Sequence, residues 1–326
     1  MKKKRTITIL VSLLLIACVA ALIWFFTTNR WINYHLLHRS TSPDVTIGSD
    51  GWLFFNDTLA DYRKDNLYTQ EDLERIRQDV LYTQNYLAEQ GIDFILFISP
   101  NKATIYGEHM PRHIETQPGP SRTEQLVDYL QSTTDVTILY PKDHLLQAKS
   151  SYPDLPLYLH NDTHWNYLGG YFATLPLLET LNVPTVPFEN ITCTAINEPI
   201  FFWSGYDLAD MLELSPVLTQ DTNYRLEGYS SATITYDGDA TQNRDIFYNC
   251  VRTQSDAQDR RKIFVARDSF GQSMTPYLAA AFQDVIFQHH RTLSRSQIEA
   301  EQPDIFIYQI VERSGLHTIN CGLWNP

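Results

Sequence analysis

This sequence of 326 residues lacks the patterns of a zinc-binding protein, of a repeat protein and of a disordered chain. It contains no Cys-x-x-Cys pair, so nothing indicates a zinc knuckle. It also contains no internal repeat and no low-complexity segment. Hydrophobic residues make up 43% of the chain, which is typical of a globular protein with a substantial core. The length suits one large domain or two ordinary ones.

Basic residues are scarce relative to acidic ones. The chain has 25 Lys and Arg against 38 Asp and Glu, and four of the basic residues lie at positions 2–5. The rest of the chain therefore carries 21 basic against 38 acidic side chains, a net charge of −17. Such a chain offers no broad positive surface to nucleic acid or to an anionic membrane. We expect a neutral or locally recognised substrate and no nucleic-acid partner.

The N-terminus combines a basic segment with a long apolar run. Residues 2–5 are all basic, and the uncharged run Ile7–Phe26 follows them. Its twenty residues are long enough to cross a hydrocarbon core, and the basic flank predicts a cytoplasmic N-terminus. A cleaved signal peptide or lipidation at Cys18 is the alternative. The prediction is a single-pass protein of the cell membrane, with residues 1–26 as anchor, 27–46 as stalk and 47–326 as an external catalytic domain.

An odd number of cysteines lies beyond that apolar run, namely Cys193, Cys250 and Cys321. Disulfides are allowed outside the cytoplasm. A Cys193–Cys250 disulfide would cross-link the two ends of the segment between them, but the sequence leaves the connectivity open.

Helices and apolar strands alternate after residue 47. Three pairs have the spacing of a capping box at a helix start: Thr69 with Asp72, Ser121 with Glu124, and Ser294 with Gln297. Further helices are predicted over residues 167–181 and 271–282. The strand candidates are residues 94–98, 136–140, 262–266, 285–287 and 304–308. This order predicts a three-layer α/β/α fold around a mostly parallel sheet. Residues 189–258 hold short β-like segments among polar turns, which we interpret as a partly β insertion.

An acid and a base lie two residues apart at Asp162 and His164. In an extended segment such side chains point to the same side. A carboxylate beside an imidazole fixes its tautomer and stabilises the imidazolium that forms during proton transfer. The alternative from this stretch alone is a loop ion pair. His160 continues the alternation, so a face with three metal ligands is a further alternative. No other ligand set is evident, and we expect no metal or other cofactor.

The candidate nucleophile is Ser269, where the strand 262–266 gives way to a helix. Backbone N–H groups at a helix start point at whatever binds there and could stabilise an oxyanion. A serine nucleophile needs a base, and His164 is the candidate. The alternative is a helix-capping serine, with Asp268 as a second capping candidate. The enzymatic hypothesis requires the two stretches to meet at one edge of the sheet.

Together these residues resemble the SGNH-hydrolase-like family that includes the alginate O-acetylation proteins AlgJ and AlgX and the related DHHW proteins. Five stretches carry the resemblance, in the order of the family: Gly48-Ser49-Asp50-Gly51-Trp52-Leu53-Phe54, Pro100-Asn101-Lys102-Ala103-Thr104-Ile105-Tyr106, Asp162-Thr163-His164-Trp165, Arg267-Asp268-Ser269-Phe270-Gly271 and Val311-Glu312-Arg313. Asp-x-His-Trp followed at this distance by Asp-Ser-Phe is the most specific part.

The resemblance implies an SGNH-hydrolase-like fold and a triad of Asp162, His164 and Ser269. It further implies transfer of an acetyl group, through an acyl-enzyme, onto hydroxyls of a cell-surface or exported polysaccharide. A membrane-bound O-acyltransferase is then the expected partner that supplies the acetyl group. The candidate substrate contacts in the matching stretches are Trp165, Lys102, Asn101, Tyr106 and Arg313. Two alternatives are a carbohydrate esterase with the same triad and a non-catalytic scaffold of a cell-envelope complex.

Overall fold

A computed structural model describes residues 13–21, 30–197, 206–237 and 250–315 of the protein. Its strands are β1 (Val45–Ile47), β2 (Leu53–Phe55), β3 (Asp93–Ser99), β4 (Thr137–Leu139), β5 (Thr192–Ile196), β6 (Asn223–Glu227), β7 (Ile234–Asp237), β8 (Val251–Ser255), β9 (Asp259–Arg267), β10 (Phe282–His289) and β11 (Ile305–Val311). Its helices are α1 (Leu59–Arg63), α2 (Gln70–Ala88), α3 (Lys102–Ile105), α4 (Arg122–Thr133), α5 (Lys142–Ser151), α6 (Tyr167–Thr180), α7 (Asp207–Met211), α8 (Thr275–Ala281) and α9 (Arg295–Glu301). Residues 13–21 and 30–35 are also helical.

The centre of the fold is a seven-stranded sheet in the order β4-β3-β11-β9-β10-β8-β7. The first five of these strands are parallel, whereas β8 and β7 add an antiparallel edge beside β10. The mostly parallel sheet predicted from the sequence is therefore confirmed. Because the parallel strands all end at one edge, the loops that follow them lie close together.

Both faces of the sheet are covered by helices. Along β3, Phe94, Leu96 and Ile98 belong to one apolar cluster, and Ile95 and Phe97 belong to the other. Helices α2, α4 and α9 contribute buried side chains to the first cluster, whereas α5, α6 and α8 contribute to the second. A strand buried on both faces needs apolar side chains at every position, which explains its continuous apolar run. The predicted three-layer α/β/α fold is confirmed.

Local sequence signals place the helix starts well. The capping boxes predicted at Thr69, Ser121 and Ser294 all form, each with its partner three residues later. One boundary differs, because the helix predicted from residue 271 is a 3₁₀ turn over Phe270–Met274, and α8 begins only at Thr275. Pro276 suits this later start, since proline is tolerated in the first helical turn, where its missing N–H has no helical partner.

The predicted membrane anchor falls largely outside the described residues. Residues 13–21 are helical, and the rest of the run 7–26 is not described. The nine described residues advance about 14 Å along a helix axis, against about 30 Å for a hydrocarbon core. Within the described ranges no helix is both long enough and apolar enough to span a bilayer. The prediction of a single-pass protein of the cell membrane is therefore wrong on this finding.

The segment 189–258 contributes to two sheets. Strands β5 and β6 form a separate antiparallel pair, whereas β7 and β8 extend the edge of the main sheet. Residues 198–205 and 238–249 lie outside the described part of the chain. The division into a catalytic domain, a stalk and an insertion stays a prediction.

The cysteines of this region are not paired with each other. Cys193 and Cys250 both have free thiols, so the bridge considered from the sequence is not formed. Cys321 lies outside the described residues.

Candidate active site

The candidate site lies at the edge where the parallel strands end. Ser269 follows the end of β9, Lys102 follows β3, and Arg313 follows β11. Ligands of open α/β sheets bind at this edge. The loop 159–166 is attached here as well, because the Lys102 ammonium donates hydrogen bonds to several of its carbonyls.

The triad predicted from the sequence is joined by two hydrogen bonds, from the Ser269 hydroxyl to the His164 imidazole and on to the Asp162 carboxylate. Ser269 Oγ lies 2.7 Å from His164 Nε2, and His164 Nδ1 lies 2.6 Å from Asp162 Oδ1. Asp162 and His164 are both buried. The Ser269 side chain makes no capping hydrogen bond to the turn that follows it, so the capping role considered for Ser269 is wrong, whereas Asp268, the second candidate, does accept the Phe270 N–H. The two stretches thus converge across 105 residues of sequence.

Asp162 is held as an acceptor by several donors. Its Oδ1 also accepts the His164 backbone N–H at 3.0 Å, and its Oδ2 accepts the Asp207 backbone N–H at 3.0 Å. Burial by itself would raise the pKa of Asp162, but the His164 imidazole and these hydrogen bonds outweigh it and lower the pKa below its ordinary value. An ionised carboxylate can only accept, so the His164 proton lies on Nδ1 and Nε2 is left to accept from Ser269.

Sequence reasoning missed Asp207, a second carboxylate beside the imidazole. Its Oδ1 accepts the Thr163 N–H at 2.7 Å, and its Oδ2 accepts the Thr163 hydroxyl at 2.5 Å. The same Oδ2 lies 3.7 Å from His164 Nδ1. Burial, with the nearby charge of Asp162, raises the pKa of Asp207 to about 6. Asp207 lies 44 positions beyond Thr163, so the residues around His164 gave no sign that it would lie beside the imidazole.

The face of three metal ligands considered from the sequence does not form. His160 turns to Asp221, with Nδ1 3.2 Å from Oδ1. A different group, Asp162, His164 and Asp207, does bring ligand atoms within 4.8 Å of one another. Two of those atoms, His164 Nδ1 and Asp162 Oδ1, are already joined by a hydrogen bond of 2.6 Å. Two ligands of one ion at about 2.1 Å each would normally lie farther apart, so this spacing suits a shared proton.

Asp268 ties the turn over residues 268–274, named the nucleophile turn after the candidate nucleophile Ser269, to the neighbouring strand. Its Oδ1 accepts the Phe270 N–H and the Gln309 side-chain N–H, each at 2.8 Å. Its Oδ2 accepts the Val311 N–H at 2.6 Å, and Gln309 Oε1 in turn accepts the Asp268 N–H at 3.0 Å. This network fixes the start of the turn against β11 and therefore fixes Ser269.

The backbone N–H groups around Ser269 are not equally available. The Phe270 N–H is used by Asp268. The amides of Ser269 and Gly271 make no hydrogen bond to the part of the chain that the structure describes. These two amides are the ones that could face a bound oxygen.

Glycines let α6 approach the nucleophile turn. A Cβ at Gly170 would lie 2.6 Å from the Ser273 carbonyl oxygen, and a Cβ at Gly169 would lie 2.2 Å from the Leu157 carbonyl oxygen. Either contact is far shorter than van der Waals distance. Asn166 caps α6 by accepting the Gly169 N–H at 2.9 Å, so the helix begins directly after the His164 loop. Close packing of α6 thus brings that loop to Ser269.

Lys102 was expected to contact substrate, and the structure places it beneath the loop 159–166 instead. Its Nζ donates to the carbonyls of Leu159 at 2.9 Å, His160 at 3.1 Å and Asp162 at 2.6 Å. The side chain is buried, and burial lowers the pKa of Lys102 to about 8. An ammonium has three donors, and these carbonyls account for all of them.

Trp165 lies in the core behind the nucleophile. It is fully buried, its Nε1 donates to the Phe270 carbonyl at 2.9 Å, and its ring packs on the Phe270 ring. Asn101 and Tyr106 are buried too. The Asn101 N–H donates to Glu312, and the Tyr106 hydroxyl accepts from a backbone amide. All three residues are thus buried behind the site.

Arg313 is the candidate contact that lies beside the triad. Its guanidinium carbon is 5.1 Å from the centre of the Phe270 ring, and its Nη2 is 3.5 Å from the Thr163 hydroxyl. The side chain is half-buried, so part of it faces solvent at the site.

Comparison with known proteins supplies a family. A profile described as "SGNH hydrolase-like domain, acetyltransferase AlgX" matches residues 45–249, which include Asp162 and His164 and end before Ser269. The probable alginate O-acetylase AlgJ of Pseudomonas aeruginosa is 31% identical over 198 residues, which are 59% of this chain and 47% of that protein. The chain spans about half the length of the curated relatives it matches.

Solved structures agree on the fold. PatB1 of Bacillus cereus superposes with a TM-score of 0.60 at 16% identity, over 83% of this chain and 96% of that one. The O-acetyltransferase domain of Pseudomonas putida AlgJ gives 0.53 at 15% identity, over 87% and 96%. The SGNH-hydrolase-like fold expected from the sequence is thus confirmed. Because the profile covers more than half of the chain, the protein belongs to the family of the SGNH hydrolase-like domain of the acetyltransferase AlgX.

Proposed function

We propose that the protein transfers an acetyl group onto a hydroxyl of a cell-surface or exported polysaccharide by way of an acyl-enzyme on Ser269. The observation that carries the proposal is the line of short hydrogen bonds from Ser269 through His164 to Asp162. Membership of the AlgX family and the relatives named as probable O-acetylases support an acyl transfer in particular.

In the first step His164 Nε2 takes the Ser269 proton while Oγ attacks the carbonyl carbon of an acetyl ester. Asp162 holds the Nδ1 proton and stabilises the imidazolium. The tetrahedral intermediate then expels the donor alkoxide, which takes the proton from Nε2. The product is an acetyl ester on Ser269.

The oxyanion of that intermediate needs donors that are free in the resting protein. The amides of Ser269 and Gly271 fit this requirement, whereas the Phe270 amide is already used. Preorganised backbone donors of this kind typically lower the barrier by about 3 kcal/mol each. A Gly271 side chain would collide with Arg267 and Gln309, so only glycine lets this amide stand where it does.

In the second step a sugar hydroxyl gives its proton to His164 Nε2 and attacks the acetyl carbon. Collapse of the second intermediate restores the Ser269 hydroxyl. Water in place of the sugar would make the same site an esterase, so the acceptor decides the outcome. We propose a membrane-bound O-acyltransferase as the partner that supplies the acetyl donor.

Labelling with a fluorophosphonate probe, read by intact mass and peptide mapping, tests the nucleophile. We expect one adduct, on Ser269, and none in Ser269→Ala. Acetyl transfer from p-nitrophenyl acetate should fall by about 10³-fold or more in this variant. Ser273→Ala is the matched control, because Ser273 is a buried serine of the same turn whose hydroxyl has no partner among the described residues.

Acetylated oligosaccharide, measured by mass spectrometry, separates transfer from hydrolysis. Labelling of Ser269 with free acetate as the only product would favour the esterase. Full activity in Ser269→Ala would remove the mechanism altogether.

A further inference from the structure

His160, two residues before Asp162, forms a second carboxylate–imidazole pair with the distant Asp221. Asp221 accepts hydrogen bonds from His160 Nδ1 at 3.2 Å, the Asn161 N–H at 2.7 Å and the Thr222 N–H at 2.9 Å. The Asp221 side chain has no exposed surface. It is therefore held rigidly, and it orients the His160 ring.

The other side of the His160 ring is available for a ligand. One face packs against Trp52, with ring centres 4.1 Å apart, yet 31% of the side chain remains exposed. Because Nδ1 donates to the Asp221 carboxylate, Nε2 of the neutral ring is an acceptor. In the described residues we find no donor for this Nε2. The ring is thus a preoriented acceptor for a hydroxyl.

His160 and Asp221 form part of the wall of a pocket of about 550 Å³, which is within the usual range for a small-molecule site. The residues of the wall also include Tyr34, Asp50 and Gln220. Among residues 13–21, 30–197, 206–237 and 250–315, no Lys or Arg contributes to the wall, and the chain as a whole carries a net charge of −13. This wall offers hydrogen-bond acceptors, amides and an aromatic residue but no positive charge. It therefore suits a neutral, hydroxyl-rich ligand and disfavours an anionic one.

The pocket lies close to the triad in space. The carbonyl oxygens of His160 and Asp162 both accept from Lys102 Nζ, at 3.1 and 2.6 Å, so these two oxygens lie within about 6 Å of each other. His164 is four residue steps along the chain from His160, a stretch that spans at most about 14 Å. A saccharide of a few sugar units is long enough to reach both places.

We propose that His160 and Asp221 form a binding subsite for a neutral saccharide, with His160 Nε2 accepting a hydrogen bond from a sugar hydroxyl. The inference rests on the proposed function in that this saccharide is the acetyl acceptor. Asp221 fixes the ring, and Tyr34 lines the same pocket. No bond is made or broken in this subsite.

Binding is measured by calorimetry in the Ser269→Ala protein, where no turnover interferes. Cellotetraose and chitotetraose are the neutral probes, and tetragalacturonate is the anionic one. We expect at least one neutral probe to bind and to lose about tenfold or more in affinity in His160→Ala, which corresponds to about 1.4 kcal/mol. His113→Ala, at an exposed histidine outside the pocket, is the control and should bind as the parent does.

His160→Asn keeps a side-chain N–H donor for Asp221 at about the position of Nδ1 and leaves no acceptor at the position of Nε2. It should lose affinity as His160→Ala does, and it serves if the alanine variant fails to fold. Failure of both neutral probes to bind, tighter binding of tetragalacturonate, or unchanged affinity in both folded variants would overturn the subsite.

The acyl-enzyme burst with p-nitrophenyl acetate, measured in the protein with Ser269 intact, separates this inference from the proposed function. A normal burst in His160→Ala with a raised KM for the bound oligosaccharide supports both. A normal burst with unchanged affinity removes only the subsite. Absence of any burst in the parent, with binding that still depends on His160, removes only the acyl transfer.

Discussion

Asp207 should lower the stability of the protein at neutral pH, and Asp207→Asn should therefore stabilise it. Burial and the neighbouring charge of Asp162 raise the pKa of Asp207 from 3.8 to about 6. The folded protein thus keeps a proton on this carboxyl at pH values where the unfolded chain has released it. Its contribution favours the folded state below about pH 4 and is lost as the pH rises through about 6.

The size of the effect follows from that difference. A pKa raised by about two units corresponds to about 3 kcal/mol of unfolding free energy. The Asp207 side chain is 28% exposed, so solvent screens part of this electrostatic penalty. We therefore expect Asp207→Asn to raise the free energy of unfolding at pH 7.5 by about 1–2 kcal/mol. The asparagine keeps an oxygen acceptor for the Thr163 N–H. It removes a negative charge 3.7 Å from His164 Nδ1, so acyl transfer should slow as stability rises.

Urea unfolding followed by tryptophan fluorescence between pH 4 and 7.5 measures the effect. The stability difference between Asp207→Asn and the parent should grow from near zero at pH 4 to its full value at pH 7.5. Asp154→Asn, at an exposed aspartate on the surface, should show no such growth. An Asp207→Asn protein that is less stable than the parent at pH 7.5 would refute the reasoning.

Two further substitutions test how the site is assembled. Gly170→Ala should lower the free energy of unfolding by about 1–3 kcal/mol and slow acyl transfer, because its methyl group would lie 2.6 Å from the Ser273 carbonyl oxygen and push α6 away from the nucleophile turn. Urea denaturation and an esterase assay measure the two effects. An unchanged denaturation midpoint would contradict the prediction. Lys102→Met should lower kcat for p-nitrophenyl acetate at least about tenfold with little change in KM, because three loop carbonyls lose their donor. Since burial lowers the pKa of Lys102 to about 8, the parent should lose activity above that pH, and the methionine variant should lack this alkaline decline.

Local patterns predicted the elements of the fold correctly because their causes are local. A capping box is decided within four residues, as at Thr69 and Ser121, and both helices begin there. The strand β3 is apolar at successive positions because both of its faces are buried, and that property is visible in the sequence. The 3₁₀ turn over Phe270–Met274 was missed, although Pro276 suits a helix that begins at Thr275.

The type of a residue could not tell whether its side chain contacts substrate or packs behind the site. Lys102, Trp165 and Tyr106 have side chains that often bind sugars or anions, and on that basis they were expected to touch substrate. In the structure each is buried and bonds to backbone atoms behind the site. Burial depends on elements distant in sequence. Asp207 shows the converse, because an unremarkable aspartate becomes the second carboxylate beside His164 only when α7 packs there.

The sequence by itself determined the layered α/β architecture and the chemical types of the triad, since apolar periodicity, capping pairs and the Asp-x-His spacing are properties of neighbouring residues. Only the tertiary structure decided that Ser269 reaches His164, that Lys102 holds the loop, and that His160 turns away to Asp221. Those outcomes depend on contacts between segments far apart along the chain, which no pattern of neighbouring residues records.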